Sequence, residues 1–196
     1  MTSFYIMLLA AYLIGAIPTG VVLTRLVGAS DIRNSGSGNI GATNVYRVAG
    51  KKLGVLTLIG DALKGAVPVL IAIKLTDLGD AQVGAVAAAA FIGHCYPVYL
   101  KFKGGKGVAT ALGIFLVLSP LAVLGAFAVF ALLVWKWRYV SLGSICAAAA
   151  IPILVYFTEG NPALVATTMF ISLIVICRHH QNIQRLLNGS ENRFKA

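Results

Sequence analysis

The sequence predicts an all-α integral membrane protein, a bundle of about seven transmembrane helices. Of its 196 residues, 59% are apolar and only 11% are charged, whereas a soluble domain is usually about 25% charged. Long apolar runs alternate with short polar segments, and the mean hydropathy is +0.88. The formal net charge is +10, an excess that suits a negative membrane surface or anionic substrates.

Five apolar stretches reach the roughly 17 to 25 residues that a helix needs to cross a bilayer. The first is not preceded by Lys or Arg and is not followed by a small-residue cleavage site, so we expect a span rather than a removable signal peptide. Gly-rich, charged or Asn-Pro breaks separate the stretches, which cover residues 4–26, 53–76, 81–100, 140–158 and 162–178.

A sixth stretch, residues 108–134, is apolar except for Ser119-Pro120 and decides the number of spans. One kinked helix would make six spans and would place the lysines before it on the side opposite Lys136 and Arg138. A turn at Ser119-Pro120 would instead divide it into two thin halves of similar length and make seven spans. We expect the turn, and we expect the thin halves to be packed inside the bundle or matched by a thinner bilayer.

Seven spans place all but Lys64 and Lys74 of the 16 basic residues on one face. The positive-inside rule makes that face cytoplasmic, with the N-terminus outside and the C-terminus inside. We expect residues 1–196 to form a single membrane-embedded domain. The basic residues assigned to the cytoplasmic face are Arg25, Arg33, Arg47, Lys51, Lys52, Lys101, Lys103, Lys106, Lys136, Arg138, Arg178, Arg185, Arg193 and Lys195.

Other classes of site and partner are disfavoured. The three cysteines, Cys95, Cys146 and Cys177, lie far apart without a CxxC pair, so they predict neither a metal site nor a disulfide. Nucleic acid is a weak candidate partner because the basic residues form short clusters between apolar runs.

The first informative segment is residues 30–47, which is rich in Gly, Ser, Asn and Thr. Its glycines have the spacing G-x-G-x-x-G, but no strand precedes them, so a dinucleotide fingerprint is excluded by context. Interleaved glycines and hydroxyls let backbone N–H groups converge on an anion, and Arg47 can add a bidentate fork. The alternative is a flexible polar connector.

The second segment, residues 93–110, contains a Gly104-Gly105-Lys106-Gly107 turn that opens a helix. It is not a Walker A loop, because Gly107 stands where Ser or Thr would follow the lysine. Helix N–H groups and a lysine together favour an oxyanion or a phosphate. The alternatives are a flexible turn that touches lipid headgroups and, for His94, an ordinary buried hydrogen-bonding histidine.

The third segment, residues 178–191, follows the last span. Its adjacent histidines point to different helix faces, so they do not form an i, i+4 metal pair, whereas His179 and Asn182 share a face. A polar helix at the membrane edge is the alternative. Separately, Asp61 and Lys64 lie one helical turn apart near a membrane boundary, and we expect an internal ion pair.

Together these segments resemble the three motifs of the PlsY family, the bacterial integral-membrane acyl-phosphate:glycerol-3-phosphate acyltransferases that start phospholipid synthesis. The resemblance extends along essentially the whole chain, and Asp61-x-x-Lys64-Gly65 also looks like a family feature. It implies a multi-pass enzyme of the bacterial inner membrane with its active site facing the cytoplasm. The implied reaction moves a fatty acyl group from acyl phosphate to the 1-hydroxyl of glycerol 3-phosphate, forming lysophosphatidate and phosphate. It implies no metal, no other cofactor, no acyl-CoA and no obligatory protein partner.

The resemblance also implies roles for individual residues. Those matched to catalysis are Ser35, Lys106, His179 and Asn182. Those matched to substrate binding are Ser37, Asn39, Thr43, Asn44, Arg47, Gly104, Gly105 and Gly107. Those matched to structural support are Asp61, Lys64 and Glu191. No role is carried over to His180.

The chemistry of the residues is compatible with direct transfer. An acyl phosphate has a good leaving group, so the protein mainly aligns the hydroxyl and stabilises charge. No Gly-x-Ser-x-Gly elbow is present, and the proton acceptor is left open between His179 and a substrate phosphate. We expect Arg47 to bind glycerol 3-phosphate and the glycine turn to bind acyl phosphate, where a methyl at Gly105 or Gly107 would obstruct the approach of the phosphate.

Two rival functions remain at this stage. An anion transporter or channel would use the glycine-broken segments as half-helices, but the polar clusters lie at one membrane face and no inverted repeat is detectable. A non-catalytic assembly factor leaves the converging donors unexplained.

Overall fold

The computed structural model describes residues 2–194, and within that range the regular elements are ten α-helices and two short 3-10 turns, with no strand. The prediction of an all-α chain is therefore confirmed. The 3-10 turns are Ile32–Asn34 and Val98–Leu100. The α-helices are α1 (Thr2–Gly15), α2 (Thr19–Leu26), α3 (Ala42–Ala49), α4 (Lys51–Leu75), α5 (Asp80–Cys95), α6 (Val108–Leu118), α7 (Pro120–Trp137), α8 (Val140–Glu159), α9 (Pro162–Arg178) and α10 (His180–Leu187).

Four segments of the described chain, α4, α5 with its following turn, α7 and α8, are long and apolar enough to cross a membrane. The pairs α1–α2 and α9–α10 also qualify if each is counted as one bent span, with bends of 44° and 55°, which raises the number to six. A seventh span would have to be α6. The count of seven and the orientation of the termini stay predictions.

The predicted break at Ser119-Pro120 is present, but the two halves are unequal. Helix α6 has 11 residues and spans about 16 Å at 1.5 Å per residue, less than the roughly 30 Å of hydrocarbon. Helix α7 has 18 residues and continues through Lys136 to Trp137. The expectation of two thin halves is wrong for α7, because the helix continues past Val134 through Trp135, Lys136 and Trp137. Lysine and tryptophan are residue types that suit the end of a helix at a membrane interface.

The chain forms two compact units, one ending at Val117 and the other beginning at Leu118. In the first unit, glycines let helix backbones touch: a Cβ on Gly15 would overlap the backbone of Ala90, and one on Gly113 would overlap Ala62. These close approaches bring α1 against α5 and α6 against α4. In the second unit α8 packs on α7, where Gly143 lies against Phe130. Small residues therefore set the helix spacing, as is common in membranes.

Candidate active site

Asn44 organises the glycine-rich loop that precedes α3. Its side chain is 2% exposed, and its amide nitrogen donates to the carbonyls of Ile32, Ser35 and Asn39 at 2.8–3.1 Å. Its amide oxygen accepts the Ser37 N–H at 2.8 Å. Four backbone groups are thus held by one buried side chain, which fixes the path of the loop.

The other polar residues of this loop are more accessible. Ser37 is exposed, and Ser35, Asn39 and Thr43 are half-buried. Gly36 and Gly38 have φ of 63° and 69°, values in the left-handed region that glycine adopts without strain. The loop therefore has a defined backbone path and is not a flexible connector. The hydroxyl groups of Ser35, Ser37 and Thr43 remain at least partly accessible.

The two arginines beside the loop differ in their partners. Arg33 donates to the Asp31 carboxylate, with Nε to Oδ1 at 2.9 Å. This hydrogen bond lowers the Asp31 pKa to about 2. Arg47 is exposed on α3, and no described residue pairs with its guanidinium by a hydrogen bond or an ion pair. Arg47 is thus the arginine whose fork is available to an anion.

A small apolar cluster joins this loop to the next one. Buried Val21, Ile32, Ile40 and Val45 pack together, and Leu100 packs against them. Leu100 ends the 3-10 turn that leads to the glycine turn at 104–107. Both loops therefore lie at the same end of the first unit. This placement is the one expected if the two loops bind related anions.

The glycine turn at 104–107 is packed tightly against α5. The Gly105 N–H donates to the His94 carbonyl at 3.2 Å, and a Cβ on Gly105 would overlap His94 Nε2. A Cβ on Gly107, whose φ is 82°, would overlap the Phe91 ring. The expectation that methyl groups at these positions would obstruct a phosphate is therefore wrong: they would meet the protein, because the Cβ directions face α5.

Lys106 and the first turn of α6 complete the chemistry of this turn. Lys106 is half-buried. Helix α6 starts at Val108, and the first N–H groups of an α-helix have no partner within the helix itself. They carry the partial positive charge of a helix N-terminus. The arrangement suits an oxyanion adjacent to an apolar helix.

The predicted ion pair between Asp61 and Lys64 is confirmed, and it belongs to a larger buried cluster. The Lys64 ammonium is 2.8 Å from Asp61 Oδ1 and donates to the Ile17 carbonyl at 2.7 Å, at the break between α1 and α2. His94 Nδ1 lies 3.8 Å from the same carboxylate oxygen. The exposed fractions of Asp61, Lys64 and His94 are 2%, 6% and 3%.

The third motif lies in the second unit, where His179 and Asn182 are buried at 3% and 5% exposure. His179 Nδ1 is 2.7 Å from the Val175 carbonyl. Since a carbonyl only accepts, Nδ1 carries a hydrogen, and in the neutral form of the ring the lone pair is therefore on Nε2. His180 is exposed, with its Nδ1 near the Cys177 carbonyl.

Glu191 holds Asn182 in place. Its Oε1 accepts from Asn182 Nδ2 at 2.8 Å and from Ser141 Oγ at 2.9 Å, and its Oε2 accepts from Arg185 Nε at 2.7 Å. Burial acts to raise the Glu191 pKa, but the hydrogen bonds from Arg185, Asn182 and Ser141 outweigh burial and lower it. Glu191 is therefore ionised at neutral pH and fixes the start of α10 against α8.

Sequence reasoning did not identify three of these contacts. Ser141 reaches Glu191 across 50 residues, and no local pattern indicates it. The contact of the His94 ring with the glycine turn is likewise nonlocal. The third contact, between Asp31 and Arg33, could have been predicted, because opposite charges two residues apart favour a local ion pair. Within residues 2–194, no group of three or more His, Cys, Asp or Glu side chains has the arrangement of a metal site.

Comparison with known proteins gives a consistent result along the chain. Residues 5–189 match the family described as glycerol-3-phosphate acyltransferase. A relative from Trichlorobacter lovleyi carrying that name is 57% identical over 196 residues, and the match covers all of both chains. Crystal structures of PlsY, an integral membrane glycerol 3-phosphate acyltransferase, are similar in fold. The glycerol 3-phosphate form has a TM-score of 0.94 at 42% identity, covering 98% of this chain and 96% of that one. The lysophosphatidic acid form has a TM-score of 0.91 at 41% identity, with the same coverage.

Proposed function

The chain belongs to the glycerol-3-phosphate acyltransferase family, and on this premise we propose that it transfers a fatty acyl group from acyl phosphate to the 1-hydroxyl of glycerol 3-phosphate. The products are lysophosphatidate and inorganic phosphate, and the reaction supplies phospholipid synthesis. The similarity to PlsY in glycerol 3-phosphate and lysophosphatidic acid forms supports the acceptor and the product. The donor is the one that the resemblance to the PlsY family implies, and the chemistry of the site is compatible with it.

The observation that carries the proposal is the glycine turn at 104–107 that opens α6. Helix N–H groups and Lys106 provide positive charge for a phosphate, and α6 is apolar from its first residue. A lipid anion needs both features, because its head is charged while its tail stays in hydrocarbon. We assign a substrate phosphate to this turn and the stabilisation of the departing phosphate to Lys106.

The loop around Asn44 is assigned to polar recognition of the substrates. The polar groups of the loop come from Ser37, Asn39 and Thr43, and Ser35 keeps the catalytic role that the family resemblance implies. Arg47 provides a planar fork for the phosphate of glycerol 3-phosphate. Asn44, first matched to substrate binding, is reassigned to shaping the loop, since its polar atoms bond four backbone groups.

His179 and Asn182 are assigned to the acceptor hydroxyl. The bond from His179 Nδ1 to the Val175 carbonyl leaves Nε2 as the basic atom, and we assign it as the acceptor of the hydroxyl proton. Asn182, held by Glu191, orients the substrate. The hydroxyl oxygen attacks the acyl carbonyl carbon, the bond from that carbon to the phosphate oxygen breaks, and phosphate leaves with the bonding pair. No acyl-enzyme is formed.

The proposed topology has seven spans, with the N-terminus outside and the C-terminus cytoplasmic. It is supported by the positive-inside arrangement of basic residues, which leaves only Lys64 and Lys74 outside the cytoplasmic set. It places all three motifs on the cytoplasmic side of the inner membrane, where glycerol 3-phosphate is available. We further propose that residues 1–196 act as a single membrane-embedded domain.

The activity is tested with purified protein in lipid, radiolabelled glycerol 3-phosphate and either acyl phosphate or acyl-CoA. We expect labelled lysophosphatidate with acyl phosphate only. Product from acyl-CoA alone would overturn the assignment of the donor. Absence of product from folded protein, together with uptake of label into liposomes, would favour an anion transporter.

A further inference from the structure

The Glu191 carboxylate receives hydrogen bonds from two different helices. Its Oε1 accepts from Asn182 Nδ2 at 2.8 Å and from Ser141 Oγ at 2.9 Å, and its Oε2 accepts from Arg185 Nε at 2.7 Å. Asn182 and Arg185 both lie in α10, whereas Ser141 lies in the first turn of α8. Ser141 is therefore the donor that ties this carboxylate to the long helix α8.

We propose that Ser141 is a positioning residue for the acyl transfer, acting through Glu191 to hold the side-chain amide of Asn182 in the orientation that the acceptor substrate requires. The inference rests on the proposed function, in which Asn182 orients glycerol 3-phosphate. It adds a residue of α8 that lies outside all three motif segments.

The carboxylate decides which end of the Asn182 amide faces it. An ionised carboxylate only accepts hydrogen bonds, so Asn182 turns Nδ2 towards Glu191 and Oδ1 away from it. Reversing the amide would place an acceptor against an acceptor, and it would exchange the donor and the acceptor on the side away from Glu191. The orientation of Asn182 therefore depends on where Glu191 Oε1 is held.

Ser141 holds that oxygen from outside α10. Arg185 bonds the other oxygen, Oε2, and belongs to the same eight-residue helix as Asn182, so its bond links parts of one short segment. Ser141 bonds Oε1 itself, the oxygen that Asn182 uses. Ser141, Asn182 and the Glu191 side chain are 7%, 5% and 6% exposed, so water has little access to replace a lost donor.

The alternative is that Ser141 only fastens the C-terminal segment to the bundle. Backbone hydrogen bonds already hold this segment on both sides of Glu191. The Ser190 N–H donates to the Arg185 carbonyl at 2.8 Å, and the Phe194 N–H donates to the Arg138 carbonyl at 2.6 Å. Loss of the Ser141 hydroxyl should therefore release the carboxylate oxygen while the segment stays attached, and kinetics should change more than stability.

Three variants separate these roles. Ser141→Ala removes the hydroxyl, and Ser141→Thr keeps it. Thr168→Val is the matched control, because Thr168 is buried in the same unit and its hydroxyl donates to the Leu164 carbonyl of its own helix at 2.7 Å. The melting temperature, kcat and the KM values for glycerol 3-phosphate and acyl phosphate are measured for each.

We expect Ser141→Ala to lower kcat/KM for glycerol 3-phosphate about tenfold, the equivalent of about 1.4 kcal/mol. The KM for acyl phosphate and the melting temperature should stay close to wild type, and Ser141→Thr and Thr168→Val should match wild type throughout. A lower melting temperature with unchanged kinetics would overturn the proposal, and so would a kinetic loss that Ser141→Thr does not restore.

A double-mutant cycle tests whether Ser141 acts through Asn182. If it does, adding Ser141→Ala to Asn182→Ala should lower kcat/KM no further, whereas independent effects would add. Additive losses would overturn the proposal.

Hydrogen exchange of the Asn182 side-chain amide, followed by NMR, gives a readout that needs no activity. We expect faster exchange in Ser141→Ala than in wild type, with Asn182→Ala identifying the signal and the exposed Asn188 amide as the internal control. If Ser141→Ala does not fold, Ser141→Cys, which keeps a weaker donor, takes its place. Unchanged exchange in the folded variant would overturn the proposal. Wild-type protein that is inactive with both substrates would instead refute the proposed function, whatever the exchange result.

Discussion

Replacing Asn44 with Ala tests whether this residue shapes the glycine-rich loop. The substitution removes hydrogen bonds to Ile32, Ser35, Ser37 and Asn39, four backbone groups in all. At about 0.5–1.5 kcal/mol net for each bond, the loop loses about 2–6 kcal/mol. Even the lower value corresponds to about a 30-fold change in the equilibrium between the ordered and the disordered loop, at about 1.4 kcal/mol per factor of ten.

The assay combines steady-state kinetics with amide hydrogen exchange. If the ordered loop is needed for binding and the variant loop is mostly disordered, we expect the lower value alone to reduce kcat/KM by as much as about 30-fold. We also expect the Ser37 amide to lose protection, because it donates to Asn44 Oδ1. Asn34→Ala, at an exposed position in the same segment, is the matched control and should leave both readouts unchanged. Loss of activity with full protection of the Ser37 amide would refute the shaping role and return Asn44 to direct substrate contact.

The remaining predictions concern three single sites. Arg47→Lys should raise the KM for glycerol 3-phosphate about 10- to 150-fold, the equivalent of about 1.5–3 kcal/mol for a charge-assisted bond; unchanged kinetics would assign Arg47 to lipid headgroups. Gly107→Ala should lower the melting temperature, because φ is 82° and the added Cβ overlaps Phe91; a melting temperature equal to wild type would contradict this packing. The pKa of Glu191 is lowered in the folded protein. Ionised Glu191 therefore stabilises the folded protein at pH values above its ordinary pKa of 4.5, and this contribution is lost as the pH falls below 4.5. Glu191→Gln should therefore make thermal stability less dependent on pH in this acid range, and an unchanged pH profile would contradict the hydrogen-bonded geometry.

Periodic and compositional signals predicted much of the fold. Hydropathy located the long helices because a span needs a continuous apolar run. The Ser119-Pro120 break between α6 and α7 was predicted from the basic residues on either side, because a turn there puts Lys136 and Arg138 on the same face as the lysines before α6. Proline alone does not decide it, since Pro68 and Pro152 lie inside α4 and α8. The unequal lengths of those helices were not predicted, because Lys136 can snorkel from an otherwise apolar helix.

The candidate site was only partly predictable. Residue types indicated anion binding in residues 30–47 and 104–107, but the sequence did not separate residues on the rim from those that shape the loop. Asn44 belongs to the second group because the loop folds back over its side chain. The packing of Gly105 on His94 likewise depends on how the turn returns to α5, which no local pattern specifies.

A single-turnover experiment with acyl phosphate labelled in its acyl group tests direct transfer most directly. Purified enzyme in excess is mixed with the donor, with and without glycerol 3-phosphate, and the label is followed in lipid and in protein. The account predicts labelled lysophosphatidate and one phosphate per acyl group transferred when the acceptor is present, and no labelled protein under either condition. Labelled protein that forms without the acceptor and passes its label to lysophosphatidate at a competent rate would contradict it.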